Sequence, residues 1–304
     1  MRRKLFLLLL IFTTIANSIV FYFRDRFHYQ SYASYSDLYG RCTEECENKW
    51  KQFADDYSKN DLKDARRITD SISEKKIHTL DKLLAISDFL HNRFSKQSGK
   101  PSNELLQASP LDQYKMLCAS PSEKLWCGNF AQVFSFFCWS QNIVSRNIEI
   151  MYPGDRHVLN ECYIPEMGTW IMVDVTNNIL LTRNSEGKFL DLIQFKEALE
   201  KNKPLSSLKA DTGSGRQMTA LSLQNVPAQY FSGYPIYYYH RVNNQKVYSA
   251  GEKLKRYFLP VSWYDIFDEN KKHSNLAFYL KEILIFLWLV CLGIFLFSRT
   301  KYKT

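Results

Sequence analysis

Two apolar runs, one near each end of the chain, constrain what it can fold into more than anything between them. Leu5 to Phe23 is almost uninterruptedly apolar and follows Met1-Arg-Arg-Lys4. Ile283 to Phe297 is apolar without exception, Leu276–Leu280 extend it past Lys281 and Glu282, and Arg299, Lys301 and Lys303 follow. A helix of about 20 apolar residues crosses a bilayer, because backbone groups in hydrocarbon must be satisfied within their own segment. The first run has a second reading, a cleaved signal sequence with Ala16-Asn-Ser as its cleavage context. Its continuation through Ile19-Val-Phe-Tyr-Phe23, beyond a normal signal core, favours an uncleaved anchor. The basic residues beside both runs place both termini in the cytoplasm. Residues 24–275 then form one extracytoplasmic domain, and losing the first segment would not change its sidedness.

About 250 residues are ample for one hydrophobic core. The net charge of +9 and aromatic content of 15% suit a folded domain that approaches anionic lipid or cell-wall polymer. Most of the lysines are scattered along helices as solvated residues, and no basic stretch is interleaved with aromatics, so no nucleic-acid partner is expected. The chain has no Asn-x-Ser/Thr sequon, which points to a bacterial inner membrane over a secretory lumen. Cys42 and Cys46 are one helical turn apart, poor geometry for a disulfide. Cys138 and Cys162 fall inside regular elements and read as buried thiols, so cysteine usage says little about redox compartment.

The central chemistry lies in Leu125-Trp-Cys-Gly-Asn-Phe-Ala131, in Arg156-His-Val-Leu-Asn-Glu-Cys-Tyr163 and in Trp170-Ile-Met-Val-Asp-Val-Thr176. From Cys127 to Gln141, Phe130, Ala131, Phe134, Phe137 and Cys138 recur at three- and four-residue intervals, predicting a helix with one strongly buried face. Cys127 then stands in its first turn, where free N–H groups and the helix dipole favour a thiolate, and Gly128 leaves room beside the sulfur. Residues 157–164 and 169–175 read as strands joined by Pro165-Glu-Met-Gly168. With Ile164 opposite Thr169, Leu159 faces Asp174 and His157 lies diagonal to Asp174 on the same face; a one-residue slip would separate them. A nucleophilic thiol needs a base beside it, and the base needs a third group to fix its tautomer. Singly, Cys127, His157 and Asp174 each have an ordinary structural reading; in this order they form a candidate catalytic set.

This order and spacing resemble the core of the transglutaminase-like superfamily, among the papain-like cysteine enzymes. The resemblance covers roughly residues 75–180: the helix Thr79 to Phe94, a loop with Pro110, the Cys-Gly helix, the Ile143–Ile150 segment, the His strand and the Trp-x-x-Val-Asp strand. The segment between the Cys helix and His157 is short, as in the smaller microbial version of the domain. The resemblance implies an α+β fold, a Cys-bearing helix packed on an antiparallel sheet, here with flanking transmembrane helices. It implies acyl transfer or amide hydrolysis on a protein or peptide substrate that donates a glutamine or other amide. The backbone N–H of Cys127 would meet the oxyanion with a second, unassigned donor, for which Trp126 and Gln113 are the candidates. The alternative is an inert module of the same fold, serving binding or assembly at the envelope. No cofactor and no metal are implied: some relatives use calcium, but this chain has no acidic loop of that kind and no His/Cys cluster with zinc spacing.

The expected division is 1–23, an anchor or signal sequence; 24–74, a helical preface with Leu62, Ala65, Ile68 and Ile72 as an apolar stripe; and 75–180, the core. A C-terminal extension over 181–275 follows, then the transmembrane helix 276–298 and a basic tail, 299–304. In the extension, Leu190 to Leu199 reads as a short helix and Asp211-Thr-Gly-Ser-Gly215 as a linker. The aromatic cluster Tyr230, Phe231, Tyr234, Tyr237, Tyr238 and Tyr239 reads as strand core, with a substrate groove as the other reading.

Overall fold

A computed structural model describes residues 2–23, 27, 29, 31–33, 57–73, 76–211, 213, 216–222, 226–232, 234–240, 250–260, 264–267 and 275–300. Cys42 and Cys46 lie outside the described residues, as do Thr212, Ser214 and Gly215 of the expected linker; Tyr234 to Tyr239 are described as backbone only. The architecture is α+β, and the chain divides into two compact units.

The larger unit, 33–248 with 264–269, starts with helices built by recognisable signals. In α2 (Lys59–Ile72), Ser58 caps the first turn by accepting from the Asp61 N–H. Ala65 of the predicted stripe is fully buried, and Leu62 and Ile68 pack on the same core. Thus α2 covers the domain. Helix α3 (Thr79–Phe94) spans the residues expected of it. A short α4 (Asn103–Gln107) leads to α5 (Pro110–Ala119), which has Ser109 as cap and Pro110 in its first turn, where the missing N–H costs nothing.

Helix α6 (Cys127–Ser140) is buried from Asn129 onward. Its two ends are both fixed. Ahead of it, Leu125 bonds to the backbone of Gln97 and Gly99 at 2.9 and 3.1 Å. At its far end, Arg66 Nε donates to the Ser140 carbonyl at 2.7 Å, a cation at the negative pole of the helix.

The main sheet follows. Strands β2 (Ser145–Tyr152), β3 (Asp155–Ile164) and β4 (Thr169–Val173) form an antiparallel meander; β1 (Ser31–Ala33) lies at the boundary of the two units. Gly168 makes the β3–β4 turn possible with φ 60°, ψ 30°, a left-handed conformation that glycine adopts without steric cost. The register is Ile164 opposite Thr169, the one expected from the turn. Strands β8 (Tyr234–His240) and β9 (Tyr264–Phe267) continue the sheet beyond β2, in the order β9-β8-β2-β3-β4. A second, three-stranded antiparallel sheet comprises β5 (Thr182–Asn184), β6 (Leu205–Leu208) and β7 (Met218–Ala220).

Strand alternation puts one core on each face of the main sheet. Cys162, Ile164, Ile171 and Val173 join the side chains of α2 to α6 on one face. Leu159, Tyr163, Trp170 and Met172 join α7 (Leu192–Glu200) and Tyr230 on the other. Cys138 and Cys162 are free, fully buried hydrogen-bond neighbours between α6 and β3.

The smaller unit joins α1 (Arg2–Tyr22), α9 (Ala250–Phe258) and α10 (Leu276–Thr300). Lys4–Tyr22 and Leu276–Phe297 are long and apolar enough to cross a membrane, by length and composition. They pack side by side. Asn17 Nδ2 donates to the Leu284 carbonyl at 3.3 Å, and Trp288 Nε1 to Thr14 Oγ1 at 2.8 Å. Ascending one helix descends the other, so the pair is antiparallel.

Candidate functional site

Three elements of the larger unit bring Cys127, His157 and Asp174 together. Cys127 is the first residue of α6 and half-buried. His157 is near the start of β3, beyond the end of β4, and buried. Asp174 follows β4 directly and is fully buried. Its backbone forms an isolated bridge with Ile179, its N–H donating at 2.7 Å and its carbonyl accepting at 2.9 Å. The turn between these two residues is held from outside. His91 of α3 meets the Val175 carbonyl at 2.7 Å, and Asn178 accepts from the Ala210 N–H at 2.6 Å.

The Asp174 carboxylate collects donors. Oδ1 accepts the Asn177 N–H at 3.0 Å. Oδ2 meets His157 Nε2 at 2.8 Å, Asn177 Nδ2 at 2.7 Å and the Tyr230 hydroxyl at 2.5 Å. An ionised carboxylate only accepts, so Nε2 carries a proton and donates to it. Asn177 Nδ2 also approaches Nε2, at 3.2 Å, but the protonated Nε2 cannot accept, so both nitrogens donate to the carboxylate. Cys127 lies near enough to the ring for its side chain to be one of the influences that raise His157. With Nε2 committed to Asp174, Nδ1 is the ring nitrogen left for the thiol.

Burial is the largest influence on His157 and favours the neutral ring. The charge of Asp174, the bond to it and the contact with Cys127 outweigh burial and push His157 from 6.5 up to about 10. Burial is also the largest influence on Asp174 and would raise it; the charge of His157 and the bonds from His157, Tyr230 and Asn177 hold it below 3.8. Burial, then the Asp174 charge, drive the Tyr230 phenol well above its ordinary 10.0, so it stays a donor.

Asn177 and Tyr230 escaped the sequence reading. Asp174-Val-Thr-Asn177 has the spacing at which an aspartate caps its own turn, a local signal for the backbone bond. Tyr230 belongs to the noted aromatic cluster but is neither strand core nor groove. It lies in α8 (Gln229–Ser232), fully buried, its ring edge-on to Phe195 at 5.4 Å and its carbonyl accepting from Lys196 Nζ at 2.7 Å. Replacing Tyr230 by Phe removes one donor from a buried charge and is expected to cost about 1.5–3 kcal/mol. Urea unfolding of the full chain in detergent checks this; an unchanged midpoint would show the hydroxyl to be idle.

Gln113 is not the second oxyanion donor. Its side chain is fully buried against α6, with Nε2 donating to the Ala108 carbonyl at 3.1 Å and to Gln132 Oε1 at 3.5 Å. Its Oε1 accepts from Asn129 Nδ2 at 3.3 Å, and Asn129 Oδ1 in turn accepts the Trp126 N–H at 3.4 Å. Gln113 thus braces the start of α6 from behind, and the Trp126 backbone donor is already used. The Trp126 side chain is exposed beside Cys127. A Cβ on Gly128 would meet only Val158 Cγ2, at an ordinary 3.8 Å, so protein packing does not demand glycine there. No group of His, Cys, Asp and Glu able to hold a metal ion occurs among the described residues.

No protein-family model and no curated protein matches this sequence. A solved structure described as "a Putative Cysteine Protease from Cytophaga hutchinsonii" is similar over 38% of this chain and 37% of that one, at 24% identity and a TM-score of 0.31. The chain thus spans little more than a third of that protein, and a likeness of this extent carries no argument about activity.

Proposed function

We propose that this chain is a membrane-anchored, transglutaminase-like cysteine enzyme that transfers or hydrolyses the acyl group of an amide at the extracytoplasmic face. The observation that supports it is the convergence of Cys127, His157 and Asp174 from a helix, a strand and a turn, with His157 bonded to Asp174 at 2.8 Å and Cys127 acting on the same ring. His157 keeps its proton through neutral pH, which puts an imidazolium beside the sulfur, and sulfur attacks as its thiolate. The sulfur adds to the amide carbonyl carbon, and the displaced π pair moves onto oxygen. The backbone N–H of Cys127, free in the first turn of its helix, is a donor for that oxyanion. As the C–N bond breaks, His157 gives its Nδ1 proton to the departing amine. The thioester left on Cys127 is then taken by an amine, giving a cross-link, or by water, giving hydrolysis or deamidation. The substrate is a protein or peptide amide. The terminal helices hold the enzyme at a bacterial inner membrane, with both termini in the cytoplasm.

The test is alkylation of the full chain in detergent with iodoacetamide at neutral pH, located by mass spectrometry, comparing wild type with His157→Ala. Cys127 is expected to label first, and at least ~100-fold more slowly in the variant, the low end of what a positioned acid–base group contributes. Buried Cys138 and Cys162 must stay unlabelled in both, which shows that the fold survives. An unlabelled Cys127, or equal rates in the two proteins, would sink the enzyme and leave the inert binding module.

A further inference from the structure

The two apolar helices leave α9 unexplained. Leu254, Tyr257 and Phe258 fall on one arc of this nine-residue helix, at the i, i+3, i+4 spacing of an apolar face. Tyr257 fills the inner part of the arc. It is buried, its ring edge-on to Phe21 at 5.7 Å, with Lys281 Nζ over it at 4.5 Å and donating to its carbonyl. Phe21 is next to the last residue of α1, and Lys281 is in the second turn of α10. Because the two helices run antiparallel, these are the same end of the pair. If α1 and α10 cross a bilayer, α9 is therefore fastened at one of its surfaces.

The outer part of the arc is bare. Leu254 is 61% exposed and Phe258 44%, and Leu259, just past the helix, is 47% exposed. The rest of the sequence Ala250-Gly-Glu-Lys-Leu-Lys-Arg-Tyr-Phe258 is strongly basic, and Lys255 is exposed. Three large exposed apolar side chains in a basic helical sequence, fastened at one end of two apolar helices, match the composition of a helix lying in a lipid headgroup layer. We propose that α9 is an interfacial helix whose occupant is the phospholipid bilayer: Leu254, Phe258 and Leu259 enter the boundary between headgroups and acyl chains. This rests on the membrane reading of α1 and α10 and is independent of the chemistry at Cys127.

The full chain would be reconstituted in vesicles of phosphatidylcholine and phosphatidylglycerol containing a phospholipid with a photoactivatable diazirine high on its acyl chain. After irradiation, mass spectrometry locates the lipid adducts. Adducts are expected in α1, in α10 and in the peptide 250–259. In Leu254→Glu/Phe258→Glu the adducts in that peptide should fall about tenfold or more, while those in the spans persist. Adducts in the spans alone, equal labelling of α9 in the variant, or protein cross-links to α9 in place of lipid would each overturn the interfacial helix. The membrane reading would survive those results. Spans free of adducts would overturn both.

Discussion

An Asp174→Asn variant is expected to lose ~10³–10⁴-fold in any acyl-transfer rate, the penalty when an amide replaces the orienting carboxylate of a triad. Asparagine is isosteric and still accepts from Tyr230 and Asn177, so the fold persists. What changes is the charge state of the base. The strongest influence raising His157 to about 10 is the Asp174 charge; without it, burial dominates and drives His157 down. A substrate is not needed to see this. Iodoacetate is an anion and is drawn to an imidazolium beside the sulfur, whereas iodoacetamide is neutral. Two charges a few ångströms apart near a protein surface interact by about 1–4 kcal/mol, which puts the wild-type rate advantage of iodoacetate at tenfold or more. That advantage should persist in the wild type until pH approaches 10, and in Asp174→Asn it should vanish at far lower pH. Identical profiles in the two proteins would mean that His157 is not coupled to Asp174.

The same pair sets a stability window. His157 is raised above its unfolded value of 6.5, so its contribution is complete below pH 6.5 and is lost as pH climbs toward about 10. Asp174 is lowered, so its contribution is present above 3.8 and lost as pH falls through its depressed value. The stability gap between wild type and Asp174→Asn is therefore widest between about pH 4 and 6.5. Denaturant midpoints across pH 3–10 read it directly.

The parts of the site carried by local periodicity were legible in the sequence. The apolar spacing after Cys127 specifies α6, and the Pro165–Gly168 turn specifies the register that brings His157 to the face of Asp174. Tyr230 was not legible as a partner of Asp174. It lies 56 residues beyond it, and only the packing of Phe195 and the bond from Lys196 bring it there. Gln113 misled for the converse reason. A polar residue near the Cys helix reads as a site residue until tertiary structure turns its amide inward, where a buried amide must find partners. The two long apolar runs announce themselves by composition. The short apolar arc of α9 does not, because lysines and an arginine interrupt it and its meaning depends on which helix ends it touches.

Glu161→Ala is expected to destabilise the larger unit by about 3–5 kcal/mol, the cost of leaving one buried charge without its counterion. Arg146 and Glu161 face each other across β2 and β3, with side chains 1% and 0% exposed. Glu161 Oε2 accepts Arg146 Nε at 2.9 Å and a second guanidinium nitrogen at 2.5 Å, and the guanidinium stacks on Trp170 at 3.8 Å. Glu161 Oε1 accepts the Leu192 N–H at 2.7 Å, fastening the first turn of α7 to the sheet. Asp191, the cap of α7, is pushed up to about 6 by burial and then by the Glu161 charge. Glu161 is four residues along β3 from His157, and the pair thus supports the helix that in turn packs on Tyr230. Its net worth, however, is small, because bringing two ions out of water offsets most of their attraction. The double variant Arg146→Met/Glu161→Leu should therefore recover most of the loss. It should also preserve the alkylation rate of Cys127, since Lys196 and Phe195 still hold Tyr230. A double variant as unstable as Glu161→Ala would mean that α7 depends on the Leu192 bond itself. A stable double variant with a slowed Cys127 would mean that the ion pair orders the base through α7 and Tyr230.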